Sequence, residues 1–284
     1  MSRLRFIVAT SLSLTLVVTP AARGEAGQQV SDARQQLSID EQLEFLSTAK
    51  IVSSKPIGKG TTGARRLTLS NGTLTHDASF QKVDQKNSAE NLRQGKKMAG
   101  ELLFVDAYRY NIAAWQLARL LDLAHMVPPT VERSHNGERG ALSWWVDDVM
   151  MDEAERERTN AVPTGGGTNN LARQRTLMDV FTELVRDTDR NKGNVLYTTD
   201  WRVIMLDFTR AFRLQPELRR PEVLTRCGRD LLARLRAMTR EDMVRAVGSQ
   251  LTAGEVNAVM KRRDLIVQRF DQLIAARGEA SVLF

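Results

Sequence analysis

The chain has 284 residues, 42% of them hydrophobic and 26% charged, which is enough to fill one well-buried domain or two small ones and too apolar for intrinsic disorder. Its 41 basic and 34 acidic residues leave a net charge of +7, a mild excess that suits an anionic ligand and falls short of a histone-like tail. A single cysteine, Cys227, excludes an internal disulfide and a thiolate metal cluster, and His76, His125 and His135 lack the short spacing of a histidine zinc site. Any catalysis therefore leans on carboxylates and lysine.

Arg3 and Arg5 precede an uncharged run from Phe6 to Val18, followed by the small residues Ala21, Ala22 and Gly24. That is the layout of a secretory signal peptide over residues 1–24, with cleavage near 24–26. The apolar run is short of the roughly 20 residues that span a bilayer, so a retained anchor is the weaker alternative. The mature chain is expected outside the cytoplasm, periplasmic or secreted, with residues 27–50 as a helical lead-in.

From Asp40, Leu43, Leu46 and Ala49 predict a short helix, closed off before a glycine-rich stretch by Pro56. Arg66–Ser70, the turn dipeptide Asn71–Gly72 and the alternating Leu74, His76, Ala78 and Phe80 predict a β-hairpin, and Lys82 continues the same parity. Tyr108, Ile112, Trp115, Ala118 and Leu121 recur at helical spacing over about 106–123, before Pro128–Pro129. A second hairpin turns at Asn136–Gly137 between Thr130–Arg133 and Ala141–Trp145. Residues 152–170, charged and then glycine-rich, predict a mobile surface loop or lobe connection. A helix is expected from Leu171 to Val185, then two short strands, Val195–Tyr197 and Val203–Leu206. The rest is helical, with a capping box at Thr252 and Glu255. A small β-rich lobe thus precedes a mainly helical one.

Three features point to chemistry. Gly58, Gly60 and Gly63 match G-x-G-x-x-G, but a strand rather than a helix follows, which disfavours a dinucleotide fold and leaves a phosphate-covering hairpin or an ordinary hairpin loop. Lys82, on the interior parity of its strand, is placed to meet the α- and β-phosphates of a nucleotide, or else snorkels at a sheet edge. Asp189-Arg190-Asn191-Lys192-Gly193-Asn194 is followed by Asp207-Phe208 at the end of an apolar strand. Phosphoryl transfer needs a carboxylate to take the proton of the attacking hydroxyl and hard oxygen ligands for a divalent cation. Asp189 suits the first role; Asn194 and Asp207, brought side by side by a hairpin, suit the second.

That arrangement resembles the phosphatidylinositol 3-/4-kinase-like branch of the protein-kinase superfamily, with its D-R-H-x-x-N and D-[FH]-G pattern. Ile112–Trp115 through Leu120–Asp122 and Val127–Val131 resemble the secretory-pathway kinases of the Fam20 type, as does Asp207-Phe-Thr-Arg210-Ala-Phe212. The resemblance covers about residues 55–275. It implies an α+β, bilobal kinase-like fold at residues 51–276, with a small β-rich N-lobe at about 51–150 and a mainly helical C-lobe at about 168–276. It also implies ATP, with Mg²⁺ or Mn²⁺, and a hydroxyl-bearing acceptor of lipid, sugar or protein class.

Three positions depart from the pattern. Asn191 stands in place of His, and Thr209 in place of the glycine after the metal Asp. Asn111 stands where the relatives commonly carry a Glu that pairs with the strand lysine; an amide cannot neutralise Lys82. Glu101 and Asp106 are the candidates to substitute for that Glu, although Asp106, five residues earlier, falls off the face of the expected helix and Glu101 precedes it. A nucleotide-binding pseudokinase or scaffold is therefore the alternative to a transferase. Trp144 and Trp145 pack the lobe or border an adenine pocket. With no aromatic-interleaved basic patch, nucleic acid is not expected, and no motif supports membrane-surface binding.

Overall fold

Residues 37–58, 63–86, 104–165 and 167–284 are described by a computed structural model of the chain. The signal-peptide segment, Gly60 and Glu101 lie outside the described residues. Helix α1 (Ile39–Thr48) opens with a capping box between Ser38 and Glu41. Strands β1 (Lys50–Pro56), β2 (Arg65–Ser70), β3 (Thr75–Gln81), β6 (Thr130–His135) and β7 (Glu138–Trp144) form an antiparallel sheet in the order β1-β2-β3-β7-β6. Both predicted hairpins are present: Ser70 pairs with Thr75, and His135 with Glu138. The second turn sets Asn136 and Gly137 at φ 52° and 80°, the left-handed pair that a two-residue hairpin turn requires.

Strand β1 is an addition to the sequence reading. It is an edge strand of mostly exposed residues without clear alternation, where a terminal Pro56 removes no interior ladder bond. Leu67, Leu69, Ala78, Phe80 and Leu142 point to one face of the sheet, where Phe45, Leu46 and Ala49 of α1 cover them. Each buried leucine or phenylalanine among them contributes about 1.5–3 kcal/mol, and each alanine methyl about 0.8 kcal/mol. Gly140 lies under the Phe80 ring, where an added Cβ would sit 2.7 Å from ring carbons.

Strands β4 (Asp84–Lys86) and β5 (Val105–Ala107) pair with each other and lead into helix α2 (Arg109–Leu120). The expected helix thus starts three residues later, and Asp106 is in a strand. Strand β8 (Val149–Asp152) pairs with β9 (Val195–Thr198), and β9 with β10 (Val203–Met205). Helix α3 (Glu153–Thr159) occupies part of the segment read from sequence as a loop. Its signals were local: Asp152 accepts a hydrogen bond from Glu155 N at 2.9 Å as N-cap, and Arg158 pairs with Glu155 three residues away. Helix α4 (Gly167–Val185) packs against α7 (Ala253–Arg277), and α5 (Arg229–Ala237), α6 (Arg240–Val247) and α8 (Glu279–Val282) complete the helical part. The large core includes Trp115, Phe181, Phe208, Phe212, Ile266 and Phe270.

One buried carboxylate ties three of these elements together. Glu153 accepts hydrogen bonds from Arg156 and Tyr197, both at 2.6 Å, and from Arg175 at 2.8 Å. Burial pushes its carboxyl up, but the bonds from Arg156, Tyr197 and Arg175 outweigh it and hold the pKa at about 2. A depressed folded-state pKa means stability that is present above the ordinary glutamate range and lost as pH falls from about 4.5 towards 2. Glu153→Gln is expected to cost about 1–3 kcal/mol at pH 7, because it removes the charge partner of two half-buried arginines that water still reaches in part. Urea unfolding at pH 7 and pH 3 checks this: wild type and variant should differ widely at the first and converge towards the second.

Candidate active site

A cleft of about 620 Å³ lies between the sheet and the β8–β10 layer. This is within the usual range for a small-molecule site. Its roof is the face of the sheet opposite α1: Ser79, Gln81, Thr130 and Ser143, with Ile57 and Ala64 at the β1–β2 turn. Ile57 N donates to Ala64 O at 3.0 Å, closing that turn across the glycine-rich loop. Gly58 has open space around its Cα, and Gly63 has φ 65°, a left-handed conformation that glycine adopts without strain. Val127, Pro128, Val146, Leu196 and Met205 give the cleft an apolar end, beside Trp145 with Arg66 stacked 4.1 Å from its ring centroid.

At the polar end, local sequence builds the floor. The β9–β10 hairpin pairs Val195 with Met205, and Leu206 N donates to Asn194 O at 2.9 Å, which sets Asn194 beside the residue preceding Asp207. Asn194 Nδ2 donates to Asp189 O at 3.1 Å, turning the amide oxygen to the other side. Arg190 braces the loop from beneath: it pairs with buried Asp187 at 2.5 Å, donates to Asn194 O at 2.9 Å and to Leu206 O, and lies 4.3 Å from the Phe208 ring centroid. Lys192 pairs with Glu157 and ties the same loop to α3. Asp189, Asn194 and Asp207 thus line one end of one cleft.

Asp207 holds φ 53°, a rare backbone conformation for a residue with a side chain. Its Oδ1 accepts from Thr209 Oγ1 at 2.8 Å and Thr209 N at 3.3 Å. Burial pushes its carboxyl above the ordinary aspartate range; the Asp106 charge adds to the rise, while bonds from Thr209 and Gln81 oppose it.

Lys82 is elsewhere. Strand β3 ends at Gln81, and Lys82 reaches out to Glu138 Oε2 at 2.5 Å, with both side chains substantially exposed. The interior parity holds for Ala78 and Phe80, which face the core under α1, but the strand stops before Lys82, which is at the surface instead of inside; the cleft takes the odd positions, Ser79 and Gln81. Gln81 is therefore the strand residue at the site. Asn111, buried on α2, donates from Nδ2 to Gln81 Oε1 at 2.6 Å and accepts from Phe208 N at 2.7 Å. Gln81 also lies close enough to Asp207 to oppose the rise of its carboxyl. A chain of neutral amides thus links α2, β3 and the Asp207 segment, so Asn111 leaves no lysine unneutralised.

Asp106, one of the two candidate substitutes for the helix glutamate, lines the same polar end. Arg210 donates from Nε to Asp106 Oδ2 at 3.0 Å and has Nη1 3.3 Å from Asp189 Oδ2. Among the described residues lining the cleft, Arg210 is the one lysine or arginine. No sequence signal singles out Asp106 or Gln81, because their partners lie more than 100 and 29 positions away respectively.

No protein-family model matches the sequence, and no curated protein matches it. Among solved structures the chain is similar to hydra Fam20 solved with sugar, at 16% identity and a TM-score of 0.64, over 87% of this chain and 92% of that one. It is also similar to the Golgi casein kinase, a structure of which has Mn/ADP bound. There the identity is 15% and the TM-score 0.62, over 86% of this chain and 78% of that one. The fold is therefore α+β and kinase-like, of the Fam20 type, with a β-rich N-terminal part and a helical C-terminal part.

Proposed function

We propose that the chain is an exported, ATP- and divalent-metal-dependent phosphotransferase acting on a hydroxyl group. One observation carries this reading: Asp189, Asn194 and Asp207, separated in function but joined by one braced loop and hairpin, face the same end of a ligand-sized cleft. The Fam20-type fold, with a neighbour solved with Mn/ADP, supports it. The phosphatidylinositol 3-/4-kinase-like part of the resemblance rests on the spacing of these three residues alone. We read residues about 51–150 as the lobe covering the nucleotide, about 168–276 as the helical lobe, and residues 1–24 as the export signal. Among the described residues no helix is long and apolar enough to cross a membrane.

The adenine fits the apolar end, between Ile57 and Ala64 above and Leu196 and Met205 below. Buried carboxylate oxygen at Asp207 and amide oxygen at Asn194 are hard donors suited to Mg²⁺ or Mn²⁺, which would neutralise phosphate charge. Asp189 accepts the proton of the acceptor hydroxyl as its oxygen attacks the γ-phosphorus. The bond to the bridging oxygen breaks, and ADP leaves with the electron pair. Arg210, beside Asp189, holds that carboxylate in place and offers positive charge to the transferring group.

Asp189→Asn is expected to lower transfer from γ-labelled ATP about 10²–10⁴-fold while keeping the nucleotide-induced rise in Tm. Unchanged transfer by this variant would sink the assignment. A second reading, a nucleotide-binding scaffold, is favoured by the neutral Gln81–Asn111 pair and the outward Lys82. It gains if wild type binds ATP yet transfers nothing to lipid, sugar or protein hydroxyls.

A further inference from the structure

We propose that Asp106 is a direct ligand of the divalent cation, supplying the second carboxylate of the site from strand β5 where the helix position 111 offers only an amide. The inference rests on the nucleotide-site reading above and adds a residue to it. Asp106 is 2% exposed, and its side chain has two oxygens in different circumstances. Oδ2 accepts from Arg210 Nε at 3.0 Å; Oδ1 is buried with no hydrogen-bond partner. A buried carboxylate oxygen without a donor costs several times what an ordinary hydrogen bond contributes, so such an orphan calls for an ion or a water.

The position of Asp106 narrows that choice. It lines the polar end of the cleft together with Asp207 and Asn194. Its strand is fastened to the Asp207 segment by Ala107 N donating to Thr209 O at 2.9 Å. Three carboxylates, Asp106, Asp189 and Asp207, face one guanidinium there, leaving negative charge uncompensated. Arg210 is already engaged by Asp106 Oδ2 and Asp189, so it does not reach the orphan oxygen as a further donor. Among the described residues no three His, Cys, Asp or Glu side chains gather into a metal cage. Two carboxylates completed by amide, phosphate and water oxygens is instead the open coordination that Mg²⁺ and Mn²⁺ adopt in phosphoryl-transfer sites. Neutral Asn111 is already committed at both ends of its amide, to Gln81 and to Phe208 N, and takes no part.

The test uses Mn²⁺ alone, without nucleotide, on the full chain. Free Mn²⁺ is read by electron paramagnetic resonance across a titration. Wild type should bind, Asp106→Asn should weaken binding at least tenfold, and Asp147→Asn, a carboxylate at the other end of the cleft, should leave it within twofold. Binding by Asp106→Asn within twofold of wild type, or no binding by wild type, overturns the proposal. Should Asp106→Asn fail to fold by circular dichroism, wild type decides: Fe²⁺ with ascorbate and peroxide cleaves backbone beside a bound ion. Cuts near residue 106 as well as near 207 support the ligand; cuts near 207 without 106 overturn it. A fluorescent ATP analogue, titrated separately, tests the nucleotide reading. Mn²⁺ binding that depends on Asp106 without any nucleotide binding would keep this inference and sink that reading.

Discussion

Replacing Asp207 by asparagine is expected to stabilise the protein and to abolish its metal-dependent nucleotide binding. The carboxylate is buried, and its pKa is raised mainly by that burial, with the Asp106 charge adding to the rise. A raised acid pKa means that the ionised form weighs against the folded state at neutral pH; the fold gains when the charge is removed by acid or by substitution. Asparagine keeps an oxygen for Thr209 Oγ1 and N, so the turn at φ 53° retains its hydrogen bonds. The gain should be about 0.5–2 kcal/mol, in line with other sites where function is held against stability. The loss is larger: a neutral amide forfeits several kcal/mol of charge interaction with a divalent ion, about a hundredfold or more in affinity. Thermal unfolding with and without ATP and Mn²⁺ reads both signs in one experiment. A variant that melts lower than wild type without ligand, yet is still raised by ATP and Mn²⁺, would contradict both parts.

The second large effect is non-additive. Gln81→Lys alone sets an ammonium against the Asn111 amide donor. If Asn111 turns its oxygen to the lysine, buried Phe208 N loses its acceptor. Asn111→Glu alone places a third carboxylate near Asp207 and Asp106 with only a neutral partner. Asn111→Glu alone is expected to cost about 3 kcal/mol, the range for an unpaired buried charge, and Gln81→Lys alone about 1–2 kcal/mol, since the neighbouring Asp207 carboxylate offers its ammonium a partner. Together they form an ion pair in place of the amide pair, and the double variant should recover about 2–3 kcal/mol relative to the sum of the singles. The pair also brings a cation to the roof of the cleft, where among the described residues Arg210 is the one other. ATP binding that survives EDTA in the double variant but not in wild type would follow. Additive unfolding energies in a denaturant titration would show that residues 81 and 111 do not act as a pair.

The neutral Gln81–Asn111 pair stands where the kinase resemblance implies a lysine and a glutamate. With Lys82 on the surface against Glu138, no strand lysine among the described residues lines the cleft. If the site holds a nucleotide as proposed, its phosphate charge would fall, among the described lining residues, to Arg210 and to divalent cations, so binding should be steeply metal-dependent. The same arrangement explains how an amide fits at position 111: its partner, Gln81, is an amide too.

Much of the site was legible because its geometry is local. Asp189, Asn194 and Asp207 span nineteen positions. A hairpin with apolar strands must return Asp207 to the level of Asn194, so spacing and chain geometry suffice. The two Asn–Gly turns and the capping boxes at Ser38, Thr239 and Thr252 are equally local, each closed by atoms within a few residues. Helix α3 was missed although its cap was local, since its charged surface carries little apolar periodicity.

Strand alternation separates two faces of a strand but does not say what covers each. In β3 the even positions meet the core under α1 and the odd ones the cleft, and the strand ends before Lys82, so periodicity assigned to the interior a residue that is at the surface. Asp106 met Arg210, and Asn111 met Phe208, across about a hundred residues. The sequence by itself determined the turns, the caps, the strands that pair with near neighbours and the loop bearing Asp189. Only the tertiary structure decided which face of the sheet became the roof, and which distant carboxylate and amides met there. Long-range contacts follow from how whole elements bury their faces, a competition that no short window of sequence contains.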